Sequence, residues 1–286
     1  MKYFTIVAFV FITAGICSAQ KSDECWTDEF PKDTNLFGTQ FIAEGREWDC
    51  RFLTYFFVNG TGDIPGSQEQ GAIENAMDTW SAVTKIDFLE ACNAADADIR
   101  ISWQTGDHGD FLNFDGSSCP VQGGGVRLAH AAWPPPFMGD LAGDIHFDDD
   151  EVWTLNGDEE CDNIDLETVA LHELGHSLGL EHSNVTNSVL NPYDGQQRVL
   201  FMDDINGIQS IYGSRTEFPI IGDYEICYNS NKNYKIDCIS DNVDITWSVS
   251  ANLQIVSGQG DWDVTIKAIG NGEGTLTATI STGCDN

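Results

Sequence analysis

Three histidines near the middle of the chain are spaced to hold one metal ion. His172 and His176 lie four residues apart, so on a helix they share a face and present two imidazoles to the same ion. Gly179 can end that helix and let His182 return from the following loop as a third ligand. Three neutral nitrogens with an open fourth position are typical of a catalytic zinc site rather than a closed structural one.

Glu173 directly follows the first of these histidines. A carboxylate beside a zinc-activated water can take its proton and later deliver it to a departing amine. The predicted reaction is therefore hydrolysis by a zinc-activated water, with Glu173 as general base and then general acid. The alternative is a non-catalytic, metal-stabilised adhesion or binding protein. The presence of Glu173 together with all three histidines favours the enzyme.

The segment from His172 to His182 is the signature of the metzincin zinc metalloproteases, and other segments resemble the matrixin branch of that group. Residues 203–213 are similar to the closing helix of matrixins, and the likeness runs from about Trp48 to Gly213. Leu190 stands where the family has a methionine beneath the zinc. That residue packs without coordinating, so an apolar side chain of similar size is expected to leave zinc binding intact.

The same resemblance implies a second zinc, with a structural role, in the middle of the chain. Its ligand set would be three histidines and one carboxylate, a closed tetrahedral set: His108, Asp110, His130 and His146. With the catalytic site, this assignment uses all 6 histidines of the chain.

Calcium is the other cofactor that the resemblance implies. A first site would use Asp115, Asp148 and Glu151, and a second would use Asp98 and Asp144 with backbone carbonyls. Hard oxygen ligands suit Ca²⁺, and bound ions would hold long loops that a hydrophobic core does not reach. The alternative is that these acids are simply solvated.

Composition narrows the possible partners. Lys and Arg total 13 against 46 Asp and Glu, for a formal net charge of −33. This balance argues against nucleic acid and anionic membranes as partners. The hydrophobic share of 41% is too high for a disordered acidic chain. The expected partners are extracellular protein or peptide substrates.

The first 19 residues predict a secretory signal peptide, with Lys2 before an apolar run and small residues before Gln20. No later stretch has the length of a membrane span, so the protein is expected to be secreted. Eight cysteines follow the leader, and an even number in an exported chain favours disulfides. Their pairing stays open, with Cys227 and Cys284 as one plausible bridge.

Residues 20–47 are expected to be a short prosegment or leader, which inhibits the enzyme in cis if one of its residues blocks the zinc. Three possibilities stay open: Cys25 blocks the zinc, a carboxylate does so, or nothing does. The candidate carboxylates are Asp23, Asp28 and Asp33.

The remaining patterns predict an α+β protein. Residues 48–214 are expected to form a matrixin-like catalytic domain, with a twisted mixed sheet and three helices. Helix starts are predicted at a capping box of Ser67 and Gln70 and at a cap from Asp203.

Residues 219–286 alternate with period two and predict a small antiparallel, immunoglobulin-like β-sandwich, which contacts a surface or acts as a spacer. By resemblance, the strand at 126–131 pairs with the substrate, and Val169 and the Pro192–Tyr193 wall border the specificity pocket.

Overall fold

The computed structural model describes most of the chain beyond residue 45 and a short N-terminal segment. The described residues are 4–13, 46–110, 112–116, 127–136, 138–156, 163–192, 197–215, 220–223, 225–236 and 243–282. Of residues 20–47, only Arg46 and Glu47 are among the described residues. The three possibilities for inhibition by this segment therefore lie outside the described part of the chain.

Helices and strands occur throughout the described residues. The helices are α1 (Gln68–Ser81), α2 (Leu166–Ser177) and α3 (Met202–Tyr212). The strands up to residue 165 are β1 (Phe4–Thr13), β2 (Phe52–Phe57), β3 (Asp87–Glu90), β4 (Ile99–Gln104), β5 (Ala129–Ala131), β6 (Ile145–Asp148), β7 (Trp153–Thr154) and β8 (Ile164–Asp165). The later strands are β9 (Ile220–Ile221), β10 (Glu225–Cys227), β11 (Asn231–Ile236), β12 (Asp244–Val249), β13 (Leu253–Ser257), β14 (Asp263–Ala268) and β15 (Gly272–Ser281).

A five-stranded sheet in the order β3-β2-β4-β6-β5 organises the first large unit. The first four of these strands are parallel, and β5 runs antiparallel to β6 at the edge. Parallel strands are covered on both faces and therefore carry continuous apolar runs, as β2 does with its sequence FLTYFF. The predicted α+β class, with a mixed sheet and three helices, is confirmed.

Helix α2 is held in place by contacts with α1. Trp80 of α1 is fully buried and donates its indole N–H to the carbonyl of Leu171, at 2.9 Å. A Cβ on Gly175 would lie 2.8 Å from Leu190 and 3.1 Å from Trp80. A side chain at this position would force Leu190 and Trp80 to shift, which a close-packed core resists. The packing therefore sets the depth of α2 in the core.

The ends of α2 follow from local chemistry. The Asp165 side chain caps the first turn by accepting a hydrogen bond from the Thr168 amide at 3.0 Å, which satisfies one of the free donors there. Beyond the helix, Gly179 adopts a φ of 99°, in the region that favours glycine. The chain reverses at this point, as the sequence predicts.

Two predicted helix caps are wrong in detail. Ser67 is the N-cap of α1, but its side chain makes no capping bond, because φ −110° and ψ 27° depart from the extended conformation that a cap requires. Helix α3 begins after Phe201, and Asp204 rather than Asp203 accepts from the Phe201 amide, at 2.8 Å. Asp203 instead accepts from the Ser183 hydroxyl at 2.6 Å.

The later strands form two four-stranded sheets, β10-β1-β15-β12 and β13-β14-β11-β9. Their buried residues form one core, and the alternating burial of β12, β14 and β15 confirms the predicted small β-sandwich. Strand β1 completes the first sheet, although its residues 4–13 belong to the predicted signal peptide. Removal of residues 1–19 stays a prediction, and the structure is that of the full chain.

Cys50, Cys92 and Cys227 are the cysteines among the described residues, and disulfide formation by the cysteines that follow residue 19 stays a prediction. The bridge predicted between Cys227 and Cys284 stays a prediction, because residues 283–286 lie outside the described part. Among the described residues, no helix combines the length and apolarity needed to cross a membrane.

Candidate metalloprotease active site

The structure brings His172, His176 and His182 together. The Nε2 atom of His172 lies 3.1 Å from that of His176 and 3.3 Å from that of His182. A tetrahedral zinc with bonds of 2.0–2.1 Å separates its ligand nitrogens by about 3.3 Å. The three imidazoles therefore fit one zinc ion, which would bind at their Nε2 atoms.

Backbone carbonyls orient the two helical histidines. The Nδ1–H of His172 donates to the carbonyl of Val189, and that of His176 to the carbonyl of Leu180, each at 2.6 Å. With the proton held on Nδ1, the Nε2 lone pair is free for a metal. Burial also lowers the pKa of His172 to about 4 and that of His176 to about 3, so both rings are neutral at pH 7. Sequence reasoning did not identify these carbonyls, because a backbone acceptor has no signature in the side-chain pattern.

Glu173 is 7% exposed and lies beside this cluster on α2. Its carboxylate accepts a hydrogen bond from the backbone of Ala131 in β5, and burial raises its pKa to about 8. A buried carboxylate with few partners holds a proton readily, which suits a group that must accept one and return it.

A tight turn carrying Leu190 packs against the zinc-binding helix. Leu190 is 2% exposed and lies close to Gly175 of α2. The buried carboxylate of Asp204 holds this turn by accepting from the Ser188 hydroxyl at 2.5 Å and the Val189 amide at 3.1 Å. Asp204 therefore reaches His172 indirectly, through the turn that carries the Val189 carbonyl. The sequence offered only a matching helix here, without this role.

The second predicted zinc set also converges. One oxygen of Asp110, Oδ2, lies 2.9 Å from His108 Nε2, 2.7 Å from His130 Nε2 and 3.0 Å from His146 Nδ1. The His108 ring stacks on Phe114 with a centroid distance of 4.9 Å. Burial lowers the pKa of His130 to about 4, so this ring is neutral and available to a metal. Three imidazoles and a carboxylate suit a closed zinc site.

The first predicted calcium set lies together as well. Oxygens of Asp115, Asp148 and Glu151 are all within 4.8 Å of one another. Asp148 is fully buried, and its Oδ2 has no hydrogen-bond partner among the described residues. Burial raises the pKa of Asp148, and the neighbouring acids Asp150, Asp115 and Asp149 add to this effect. A buried, unpaired carboxylate oxygen among like charges is the chemistry that a hard cation relieves.

The second predicted calcium pair has different partners. Both oxygens of Asp144 accept from the guanidinium of Arg100, at 2.7–3.1 Å, and one also accepts from the Arg100 amide at 2.9 Å. The Asp98 carboxylate accepts from the amide and hydroxyl of Thr54, at 2.7 and 2.8 Å. Arg100 already supplies positive charge to Asp144, so this arrangement does not require calcium. The second calcium site stays a prediction.

The fold and these side-chain clusters define a metalloprotease domain of the metzincin type. The matrixin family model matches residues 47–213, and the PKD-like domain model matches residues 214–286. Because the matrixin match covers more than half of the chain, the chain belongs to the matrixin family. The PKD-like match agrees with the predicted immunoglobulin-like sandwich.

Three curated relatives illustrate the likeness. Karilysin of Tannerella forsythia is 35% identical over 243 residues, which cover 84% of this chain and 48% of karilysin. Stromelysin-1 of Mus musculus is 42% identical over 178 residues, covering 60% of this chain and 34% of the relative. Matrix metalloproteinase-16 of Homo sapiens is 38% identical over 190 residues, covering 63% and 30%. The chain spans about half or less of the length of these relatives.

Metal content tests the two histidine sites. Elemental analysis of the purified protein is expected to show about two zinc ions per chain. His182→Ala should lose one zinc and His146→Ala the other, since each removes one ligand from a different site. A parent protein with one zinc or none would contradict the assignment of two sites.

The role of Asp204 is testable through its effect on zinc affinity. Asp204→Ala removes the acceptor for the Ser188 and Val189 donors, and we expect it to destabilise the protein by about 2–4 kcal/mol. Because the turn orients His172, zinc affinity should also fall roughly 10–100-fold, measured by competition with a chelator. Asp78→Ala, at an exposed position on α1, serves as the control and should change neither quantity appreciably.

Calcium binding is testable by thermal unfolding. At calcium concentrations far above Kd, we expect Tm to rise by about 5–10 °C. Asp148→Asn should abolish most of this rise, because it removes charge from the buried acidic set. Asp144→Asn should keep the calcium-dependent rise, because Asp144 is already paired with Arg100. Loss of the rise in both variants would instead support the second calcium site.

Proposed function

We propose that this protein is a secreted, zinc-dependent endopeptidase that hydrolyses peptide bonds of extracellular proteins. The observation that carries the proposal is the convergence of three Nε2 atoms at 3.1–3.3 Å, with the buried carboxylate of Glu173 next to them. A non-catalytic metal site would not need that buried acid.

Zinc, when bound by the three imidazoles, supplies a Lewis acid that polarises a carbonyl and acidifies water. Glu173 accepts the proton of the attacking water and donates it to the nitrogen of the departing amine. Its hydrogen bond to the Ala131 backbone holds the carboxylate against β5. The carboxylate that accepts and returns the proton is therefore held in a fixed position.

Strand β5 is proposed to bind the substrate. It forms one edge of the five-stranded sheet in the described residues, with β6 on its other side. An extended peptide can add to such an edge through backbone hydrogen bonds, while pockets select its side chains. Because the Ala131 backbone also contacts Glu173, a peptide aligned on β5 would pass close to the proton-transfer group. Val169 and Pro192 are proposed to border the specificity pocket; Tyr193 lies outside the described residues.

The other sites are proposed to stabilise the catalytic unit. The cluster around Asp110 would hold a structural zinc, and the acids around Asp148 would hold calcium. Removal of residues 1–19 on export, inhibition by residues 20–47 and surface contact through the sandwich belong to the same proposal. The predicted domain limits, 48–214 and 219–286, lie close to the limits of the two family matches.

Replacing Glu173 separates catalysis from metal binding. Glu173→Gln keeps the shape but removes the proton acceptor, and we expect kcat/KM on a denatured protein substrate to fall about 10²–10⁴-fold. Zinc content should stay as in the parent, because the three histidines are intact. Chelation should abolish the parent activity.

Glu225→Gln is the matched control, since Glu225 is an exposed residue of the sandwich, and it should cleave at the parent rate. Equal cleavage by the parent and Glu173→Gln would reject the proposed mechanism.

A further inference from the structure

The C-terminal sandwich is completed by a strand from the opposite end of the chain. Strand β1 lies between β10 and β15. It pairs antiparallel with β15 over nine positions, from Phe4 opposite Ile280 to Ile12 opposite Gly272, and parallel with β10 over three positions. The first sheet of the sandwich depends on β1, because β10 pairs with no other strand of the described residues.

The two faces of β1 differ. Val10 is fully buried in the sandwich core, whereas Thr5 is exposed. Side chains at even and odd positions of a strand point to opposite faces of the sheet. This difference in burial therefore indicates that one face of β1 packs on the core and the other faces solvent. On the neighbouring strand, Leu276, Ala278 and Ile280 are also fully buried. An occupant of this position must therefore be apolar at every second residue.

Loss of β1 would leave a long gap in the sheet. Strand β15 has ten residues, and without β1 it would present a row of unpaired backbone N–H and C=O groups. Ile226 of β10, which is fully buried, would lose the strand that separates it from β15. A long, apolar, unpaired edge is a template for another strand.

We propose that the gap between β10 and β15 is a strand-acceptor site that binds an extended segment of a second, different polypeptide. This inference rests on the proposed removal of residues 1–19, which takes β1 away from the exported chain. The partner segment would be about nine residues long and apolar at alternate positions, since that pattern fits the position that β1 occupies in the sheet. It would run antiparallel to β15 and parallel to β10. The net charge of −33 favours a segment flanked by Lys or Arg.

The experiment uses the protein as it is released by a secreting host from the full coding sequence. Intact-mass measurement first establishes where its N-terminus lies. The probe is a labelled synthetic peptide of residues 4–13, extended by lysines for solubility. We expect saturable binding by anisotropy and slower hydrogen exchange in residues 272–281 when the peptide is present.

Two peptide variants provide the matched comparison. Val10→Lys places a charge at a buried position and should weaken binding roughly tenfold or more. Thr5→Lys places the same charge at an exposed position and should bind like the parent peptide.

The remaining outcomes would overturn the proposal. Equal binding of both variants would show nonspecific adsorption. Absence of binding, with residues 272–281 already protected in the released protein, would show that the chain itself closes the gap. A released protein that retains residues 4–13 would show that β1 itself occupies the position between β10 and β15. None of these results affects the Glu173→Gln test, so failure of this proposal is distinguishable from failure of the proposed enzyme.

Discussion

The metal site depends on the reversal of the chain at Gly179. Two ligands lie on α2, and the third must return within about 3.3 Å of them, which a continuing helix would prevent. Gly179 makes the reversal with a φ of 99°, and a Cβ there would lie 2.3 Å from the Arg46 carbonyl oxygen. Any other residue would incur both backbone strain and a clash. The segment that precedes β2 therefore packs directly against the turn that delivers His182.

The core beneath the site has a similar constraint. Gly175 lets Leu190 and Trp80 approach α2, and Asp204 holds the turn whose carbonyl orients His172. Leu190 fills this place although the family usually has methionine. The position demands apolar volume rather than a sulfur ligand, because the surrounding contacts are those of a packed core. The orientation of the metal ligands therefore depends on the residues packed beneath α2, and not on the ligands alone.

The two large units also share apolar contacts. Phe52 of β2 and Leu89 of β3 are buried in the same cluster as the sandwich core, and Arg215 pairs with Asp87 at 2.8 Å. These contacts place the sandwich against the sheet edge farthest from β5, since β3 and β5 end the strand order. The proposed substrate strand β5 and the edge strand β3, which lies next to the sandwich, are therefore at opposite edges of the five-stranded sheet.

The sequence by itself determined the chemistry of the principal site. The spacing of His172, His176 and His182 with Glu173 is local, since a helix and one glycine turn relate all four residues. Resemblance added His108, Asp110, His130 and His146, which only the sheet brings to one point from separate strands and loops. Tertiary structure alone decided the partners of Asp144, because Arg100 reaches it across neighbouring strands. It also decided the role of Asp204 and the position of β1 between β10 and β15. These contacts join residues that are between 15 (Val189 and Asp204) and 280 − 4 = 276 (Phe4 and Ile280) positions apart, and no short-range pattern encodes which distant groups will meet.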